Sequence, residues 1–443
     1  MRKIEKIWGF GLASFCVAFG AFAQGAPPAA GGVDLEARIA ALEAEVRELK
    51  AELAEQRAAS ARAGEANAGG AAAPAPGTTA AAVVAAPAAE SRPPLTWFGY
   101  GELDYSRPSN DPSQTTFDLR RFVIGLGYRF DERTRLLSEV EIEHAVSSES
   151  DPGEVEVEQA YIERELNADW RAQLGLFLIP SGLINENHEP TRYYGVFRNF
   201  VETSIIPTTW REGGVGLQRE TANGWRWNAG LTTGFDLSKW DPGSTEGLDS
   251  PLGSIHQELA LARADDLAAF VAANYTGVNG LRVGGSIFSG DAAQGQPGFR
   301  NNQVTLWEAH ARWQNPAWEL TALYASGHIA GTAAINQNYV GQYSAPTLVP
   351  EDFYGWYLEG AWRGLVGRAW PLVPFLRYER FNTASSYVSL ASGSTPQAGL
   401  LQTAITGGVQ YEFAPGVILK TDYVDFTNGS DGDRFDLGLG YEF

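Results

Sequence analysis

Residues 434–443 read Arg434-Phe-Asp-Leu-Gly-Leu-Gly-Tyr-Glu-Phe443. Phe435, Leu437, Leu439, Tyr441 and Phe443 share one parity, and Arg434, Asp436, Gly438, Gly440 and Glu442 share the other. Successive side chains of a strand point to opposite faces, so this segment has one apolar face and one polar face. A soluble sandwich would lay the apolar face on a core. Aromatics near both ends of that face instead suit a closed barrel in lipid, apolar side outward and polar side to a lumen.

Composition agrees with that assignment. After residue 23 there is no run of 18 or more apolar residues, which excludes spanning helices. The chain is 44% hydrophobic and 12% aromatic with a single Met, the profile of strands that alternate apolar-out and polar-in and so escape hydropathy averaging. Net charge is −20. With 9 basic and 10 acidic residues before Thr96, the rest holds 24 basic and 43 acidic, a net of −19. That balance argues against nucleic-acid binding.

Three segments precede the barrel. Arg2, Lys3 and Lys6 lead into an apolar run from Ile7 to Phe19, then Ala21-Phe-Ala23, the pattern of an export signal over 1–23. Cys16 lies inside it behind Phe15, so lipidation is not expected, and the mature chain has no cysteine. Within 24–57, Leu35, Ile39, Leu42, Val46, Leu49 and Leu53 form a heptad seam. The flanking pairs Arg38–Glu43, Glu45–Lys50 and Glu52–Arg57 are each opposite in sign, as a short parallel α-helical coiled coil requires. β-branched residues at a and Leu at d favour two strands. Residues 58–95 are mostly Ala, Gly and Pro and are expected to form a disordered linker.

From 96 to 443, turn clusters divide the chain into about sixteen alternating runs, from 96–106 and 116–130 through 416–426 and 433–443. Connections after even-numbered runs are short, such as Asp131-Glu132, Thr221-Ala-Asn-Gly224 and Ala414-Pro415. Those after odd-numbered runs include the long 180–212, 236–266, 329–352 and 383–399. Short periplasmic turns alternating with long outer loops predict an all-β, antiparallel transmembrane barrel with both ends periplasmic.

Several stretches resemble the phosphate-selective porin O/P family. Phe117-Asp-Leu-Arg-Arg-Phe-Val-Ile-Gly-Leu-Gly127 is similar to its early strand with paired arginines. Gln159-Ala-Tyr-Ile-Glu163 and Leu174-Gly-Leu-Phe-Leu-Ile-Pro-Ser-Gly182 resemble its strand pair leading into a loop. The terminal aromatic Phe443 also resembles the signal by which bacterial outer-membrane barrels are recognised for insertion. The resemblance implies a sixteen-stranded homotrimer in outer-membrane lipid whose third external loop folds into the lumen. This barrel departs from the family in having two lysines, Lys239 and Lys420, so phosphate specificity is not carried over.

The candidate constriction is the 180–212 loop, with Glu186, His188, Glu189, Arg192, Tyr193, Arg198, Glu202 and Arg211. A loop of this length in a compact barrel is functional or disordered, and its aromatics favour packing. Arginines facing carboxylates there would set a transverse field. His188 beside Glu186 and Glu189 matches no established ligand spacing, so no metal and no cofactor is expected. Glu139, Glu141 and Glu143 alternate with Val140 and Ile142, and Glu154, Glu156 and Glu158 with Val155 and Val157; charges on lipid are costly, so both rows are expected on the lumen. Of Arg120 and Arg121 strict alternation admits one, Arg121.

These features predict a Gram-negative outer-membrane porin passing small hydrophilic solutes and ions. An anion- or phosphate-selective channel is one alternative. A barrel anchor whose coiled coil reaches the cell wall is another, since a 25-residue helix spans about 37 Å. Histidines 144, 188, 256, 310 and 328 have no neighbouring G-x-S-x-G, so an enzyme is not expected.

Overall fold

The computed structural model describes residues 94–148, 150–365, 371–428 and 432–443. The expected export signal, the coiled coil and the linker up to residue 93 lie outside the described residues.

Alternation produces the strands the sequence predicts. They are β1 (Leu95–Pro108), β2 (Thr116–Arg129), β3 (Thr134–Glu143), β4 (Val155–Glu165), β5 (Trp170–Leu178) and β6 (Arg211–Glu220). There follow β7 (Trp225–Thr233), β8 (Leu267–Tyr275), β9 (Leu281–Asp291), β10 (Gln303–Gln314) and β11 (Trp318–Ile329). The last are β12 (Asp352–Trp362), β13 (Leu372–Ser386), β14 (Gln402–Ala414), β15 (Val417–Phe426) and β16 (Arg434–Glu442). Each strand pairs antiparallel with its neighbours in sequence, and β1 pairs with β16, closing a 16-stranded barrel. Closure leaves no unpaired edge, the condition for backbone to lie in hydrocarbon.

The wall is apolar outside. Val123 is 0% exposed and its neighbour Ile124 is 39% exposed, which fixes the inward and outward parities of β2. Leu174, Leu231, Ile287, Leu320, Leu358 and Leu376 are exposed on the outer face. At the short-turn end Trp97, Phe130, Trp225, Trp313, Trp318 and Phe443 are exposed, as an aromatic girdle at a membrane interface requires. Among the described residues no helix is long and apolar enough to cross a membrane. The tight turn before β7 ends at Gly224, whose φ of +89° is a conformation L side chains rarely adopt.

The interior is divided. Toward the long-loop end, Phe270, Phe288, Leu306, Leu323, Phe353 and Phe381 of β8–β13 form an apolar cluster with Trp210, Phe235, Leu237, Trp240, Leu252 and Ile335 from the connecting loops. The Trp240 indole N–H donates to Thr347 O (2.9 Å), joining the 234–266 and 330–351 loops. On β1–β4 and β13–β16 the inner face is charged and buried, with Glu102, Asp104, Arg121, Glu141, Arg377, Glu379, Lys420, Asp422 and Asp436.

Two irregularities change the sequence-based assignment. In the β1–β2 ladder Glu102 faces Arg121 and Leu103 faces Leu119, so Arg120 occupies a bulge. Arg120 reaches the buried Asp104 (Nε to Oδ2, 2.7 Å). Both arginines therefore reach buried carboxylates of β1, contrary to strict alternation, because a bulge sets two residues against one and re-aims a side chain. In the β3–β4 ladder Glu139 faces Gln159 and Val140 faces Val157, leaving Glu158 in a second bulge.

Candidate functional site

The connection between β5 and β6 spans 179–210 and is held to strands all around the barrel. Tyr193 Oη donates to Glu102 Oε2 on β1 (2.8 Å), and Tyr194 Oη donates to Glu319 Oε2 on β11 (3.1 Å). The backbone N–H groups of Val196 and Phe200 donate to Asp422 Oδ2 on β15 (2.6 Å) and Glu379 Oε1 on β13 (2.7 Å). Lys420 Nζ donates to Tyr193 O (2.9 Å) and stands 3.8 Å from the centre of that ring. Arg226 on β7 pairs with Glu186 (2.8 Å), and Arg192 pairs with Glu442 on β16 (3.2 Å). The guanidinium of Arg120 lies over the Phe197 ring at 4.6 Å. Burial and the neighbouring Glu102 carboxylate lift the Tyr193 phenol above its ordinary pKa, keeping the proton it donates.

Glu202 organises the loop from within. Its carboxylate accepts from Leu183 N (2.7 Å), Ile184 N (2.8 Å), Asn199 Nδ2 (3.1 Å) and Tyr357 Oη of β12 (2.8 Å). Gly182 has φ +76° and a Cβ there would collide with the same carboxylate, so the position needs glycine twice over. Arg198 donates to the hydroxyls of Thr208 and Thr209 and to His188 O (3.2 Å). Asn185 Nδ2 bridges Ile179 O and Trp210 O (2.8 Å each) and so draws the loop's two ends together. Buried polar groups in such a network specify one arrangement because each left unpaired is costly.

The sequence-predicted residues therefore divide. Glu186 and Arg192 are exposed and Glu189 is half-buried, whereas His188, Tyr193, Arg198 and Glu202 are buried. Arg198, expected to face a carboxylate across a gap, is committed to the loop's own hydroxyls and carbonyl. Arg211, assigned by sequence to the loop, is the first residue of β6, because its backbone pairs with Leu178; it binds Glu156 and, at 2.8 Å, Glu258. Arg121 bonds Glu102 (2.7 Å) and lies 3.4 Å from Glu141. Glu139 accepts from Gln159 Nε2 (2.6 Å), and Glu143 is half-buried at the end of β3.

Sequence reasoning missed the residues that receive the loop, among them Glu102, Arg226, Glu319, Tyr357, Glu379, Lys420, Asp422 and Glu442. Their signal was parity: Glu102 alternates with Leu103, and Glu379 with Tyr378 and Arg380, but nothing local marks them as partners of a distant loop. Elsewhere on the wall, Arg312 of β10 lies directly across from Arg282 of β9. Among the described residues no carboxylate forms an ion pair with Arg282, while Arg312 lies 3.6 Å from Glu319.

No family model matches the chain. An uncharacterized protein of Aquifex aeolicus (strain VF5) is 31% identical over 354 residues, covering 78% of this chain and 79% of that one. OmpF of Salmonella typhi, solved in complex with daunomycin, superposes with a TM-score of 0.54 at 12% identity over 79% of this chain and 97% of its own. The outer membrane channel DcaP of Acinetobacter baumannii superposes with a TM-score of 0.50 at 13% identity, over 79% of this chain and 97% of its own. The shared feature is the porin barrel. The narrower likeness to the phosphate-selective porin O/P family is supported by none of these matches.

Proposed function

The chain belongs to the same family as the Aquifex aeolicus protein and has a porin's fold, and on that premise we propose that it is an outer-membrane channel for passive diffusion of small hydrophilic solutes and ions, narrowed by the 179–210 loop. The observation supporting this reading is the set of bonds from Tyr193, Tyr194, Val196 and Phe200 to carboxylates on β1, β11, β15 and β13. A loop tied to opposite sides of a barrel occupies its cross-section, and the solute path runs beside it. Glu186, Glu189 and Arg192 keep solvent-facing surface and border that path; the buried His188, Tyr193, Arg198 and Glu202 hold the loop in shape. The working form is a homotrimer, assembled partly through the 33–57 heptad.

Selectivity on this reading is weak. Several buried lumen carboxylates are paired with arginines, so the excess that makes up the barrel's −19 resides on carboxylates outside these pairs. A second reading, an anion path, is favoured by Arg282 opposite Arg312. Planar-bilayer recordings separate the two. Ion-permeable steps with a small reversal potential of cation sign in a roughly tenfold KCl gradient support the first. A strongly anion-selective potential with block by phosphate supports the second. Absence of conductance from correctly folded protein overturns both.

A further inference from the structure

We propose that Glu139, Glu158 and His188 form a binding site for a first-row divalent cation that staples the 179–210 loop to the β3–β4 wall. The bulge in β4 buries Glu158 completely (0% exposed). One oxygen, Oε2, accepts from Tyr100 Oη (3.0 Å) and lies 3.8 Å from His188 Nε2; the other, Oε1, is buried without a hydrogen-bond partner. His188 is also buried, and its Nδ1 lies 2.9 Å from Asn185 O. A carbonyl only accepts, so Nδ1 carries a proton and Nε2 is the ring nitrogen left to meet a ligand. That Nε2 has no hydrogen-bond partner. A ring N–H given to a backbone carbonyl is the arrangement that orients metal-ligating histidines.

Charge points the same way. Arg121 serves Glu102 and Glu141, and Arg211 serves Glu156 and Glu258. Among the described residues no arginine or lysine pairs with Glu139 or Glu158; Glu139 receives only the Gln159 amide. Two carboxylates without an arginine or lysine partner, beside an imidazole, leave an excess of negative charge in a largely buried site, which a divalent cation cancels. The candidate ligand atoms lie within 4.8 Å of one another, with Glu141 and Glu156 forming an adjoining cluster around Glu158. Tetrahedral ligands at about 2.0–2.1 Å from zinc stand roughly 3.3 Å apart. Side-chain rotation by about 1.5 Å therefore closes the site. Mixed imidazole and carboxylate donors favour Zn²⁺ or its neighbours over Mg²⁺ and Ca²⁺.

The test uses the full untagged protein, folded in detergent and stripped with EDTA. Titration with Zn²⁺ in excess Mg²⁺ is expected to give one ion per chain. X-ray absorption at the zinc edge is expected to show one imidazole among oxygen ligands. His188→Gln and Glu139→Gln should each weaken uptake at least tenfold, and Zn²⁺ should slow proteolysis within 179–210 in the wild type alone. Glu139 is part-exposed, so its variant keeps the test valid if changes at the buried pair impair folding. No stoichiometric uptake, an all-oxygen ligand shell, or equal uptake by wild type and both variants overturns the site. Uptake is read independently of conductance, so failure here leaves the channel reading standing, and the reverse also holds.

Discussion

Replacing Glu202 by alanine tests whether the loop inside the barrel is held by its own buried network. The change strips four hydrogen bonds at once and leaves Leu183 N, Ile184 N and Tyr357 Oη, all buried, without their acceptor. A buried donor left unpartnered costs about 1–3 kcal/mol. Three of them would total on the order of 3–9 kcal/mol, and water entering the vacated space recovers much of it, leaving about 2–4 kcal/mol. None of this falls on the strand ladders, so the barrel stays closed while the loop's released population rises roughly 30- to 1000-fold. The assay is single-channel recording beside limited proteolysis in detergent. We expect larger or noisier conductance and cleavage within 179–210, with heat-modifiable migration of the barrel unchanged. Glu202→Gln keeps one acceptor oxygen and the side-chain shape and should fall between. Conductance and protease resistance identical to wild type in a folded Glu202→Ala protein would refute the argument, because the network would then contribute nothing to the loop's position.

Further outcomes follow from the same structure. Deleting residues 186–202 should raise single-channel conductance; an unchanged value in a folded deletion would place the loop off the solute path. Leu358→Arg puts a cation on the outer face of β12 and should destabilise the barrel in vesicles by about 2–4 kcal/mol if that face meets the lipid midplane, as chemical denaturation would measure. Leu42→Asp with Leu49→Asp should lower the heat resistance of the oligomer on semi-native gels; a heat-stable monomer before and after the change removes the heptad from assembly. Arg282→Glu should move the reversal potential toward cations, and an unmoved potential would take Arg282 off the ion path.

How much was legible follows from what period two can encode. The run read at 433–443 is the strand Arg434–Glu442, and those read at 116–130 and 416–426 are Thr116–Arg129 and Val417–Phe426, because lipid on one side and a wet lumen on the other force alternation. β13 runs on to Ser386, into the connection expected at 383–399, as its upper part pairs with the start of β12 without an apolar face to announce it. Bulges are invisible to a strict period, and so Arg120 was assigned outward and Glu158 was read as one more member of a row. The connections read at 236–266 and 329–352 carried no expectation beyond their length. They contribute Trp240, Leu252, Ile255, Ile335 and Val349 to the apolar interior, and these residues share no spacing that a strand or helix template would detect.

The same limit governs charge. A net of −19 over the barrel reads as a cation funnel only if the carboxylates in excess line the lumen. Arg377 lies between Glu359 (3.1 Å) and Glu379 (2.7 Å), Arg434 holds Asp436 (2.9 Å), and Arg121 holds Glu102 (2.7 Å). A one-to-one pair such as Arg434–Asp436 presents a dipole rather than a charge to a passing ion, and its field falls off faster with distance. Arg377 and Arg121, by contrast, each serve two carboxylates. What an ion meets is then the part-exposed remainder, with Arg282 on one wall and Glu139 on another. Composition counts all 67 charged side chains of the barrel alike; pairing and placement decide which of them act on an ion, and both are properties of the folded loop and its bulged strands.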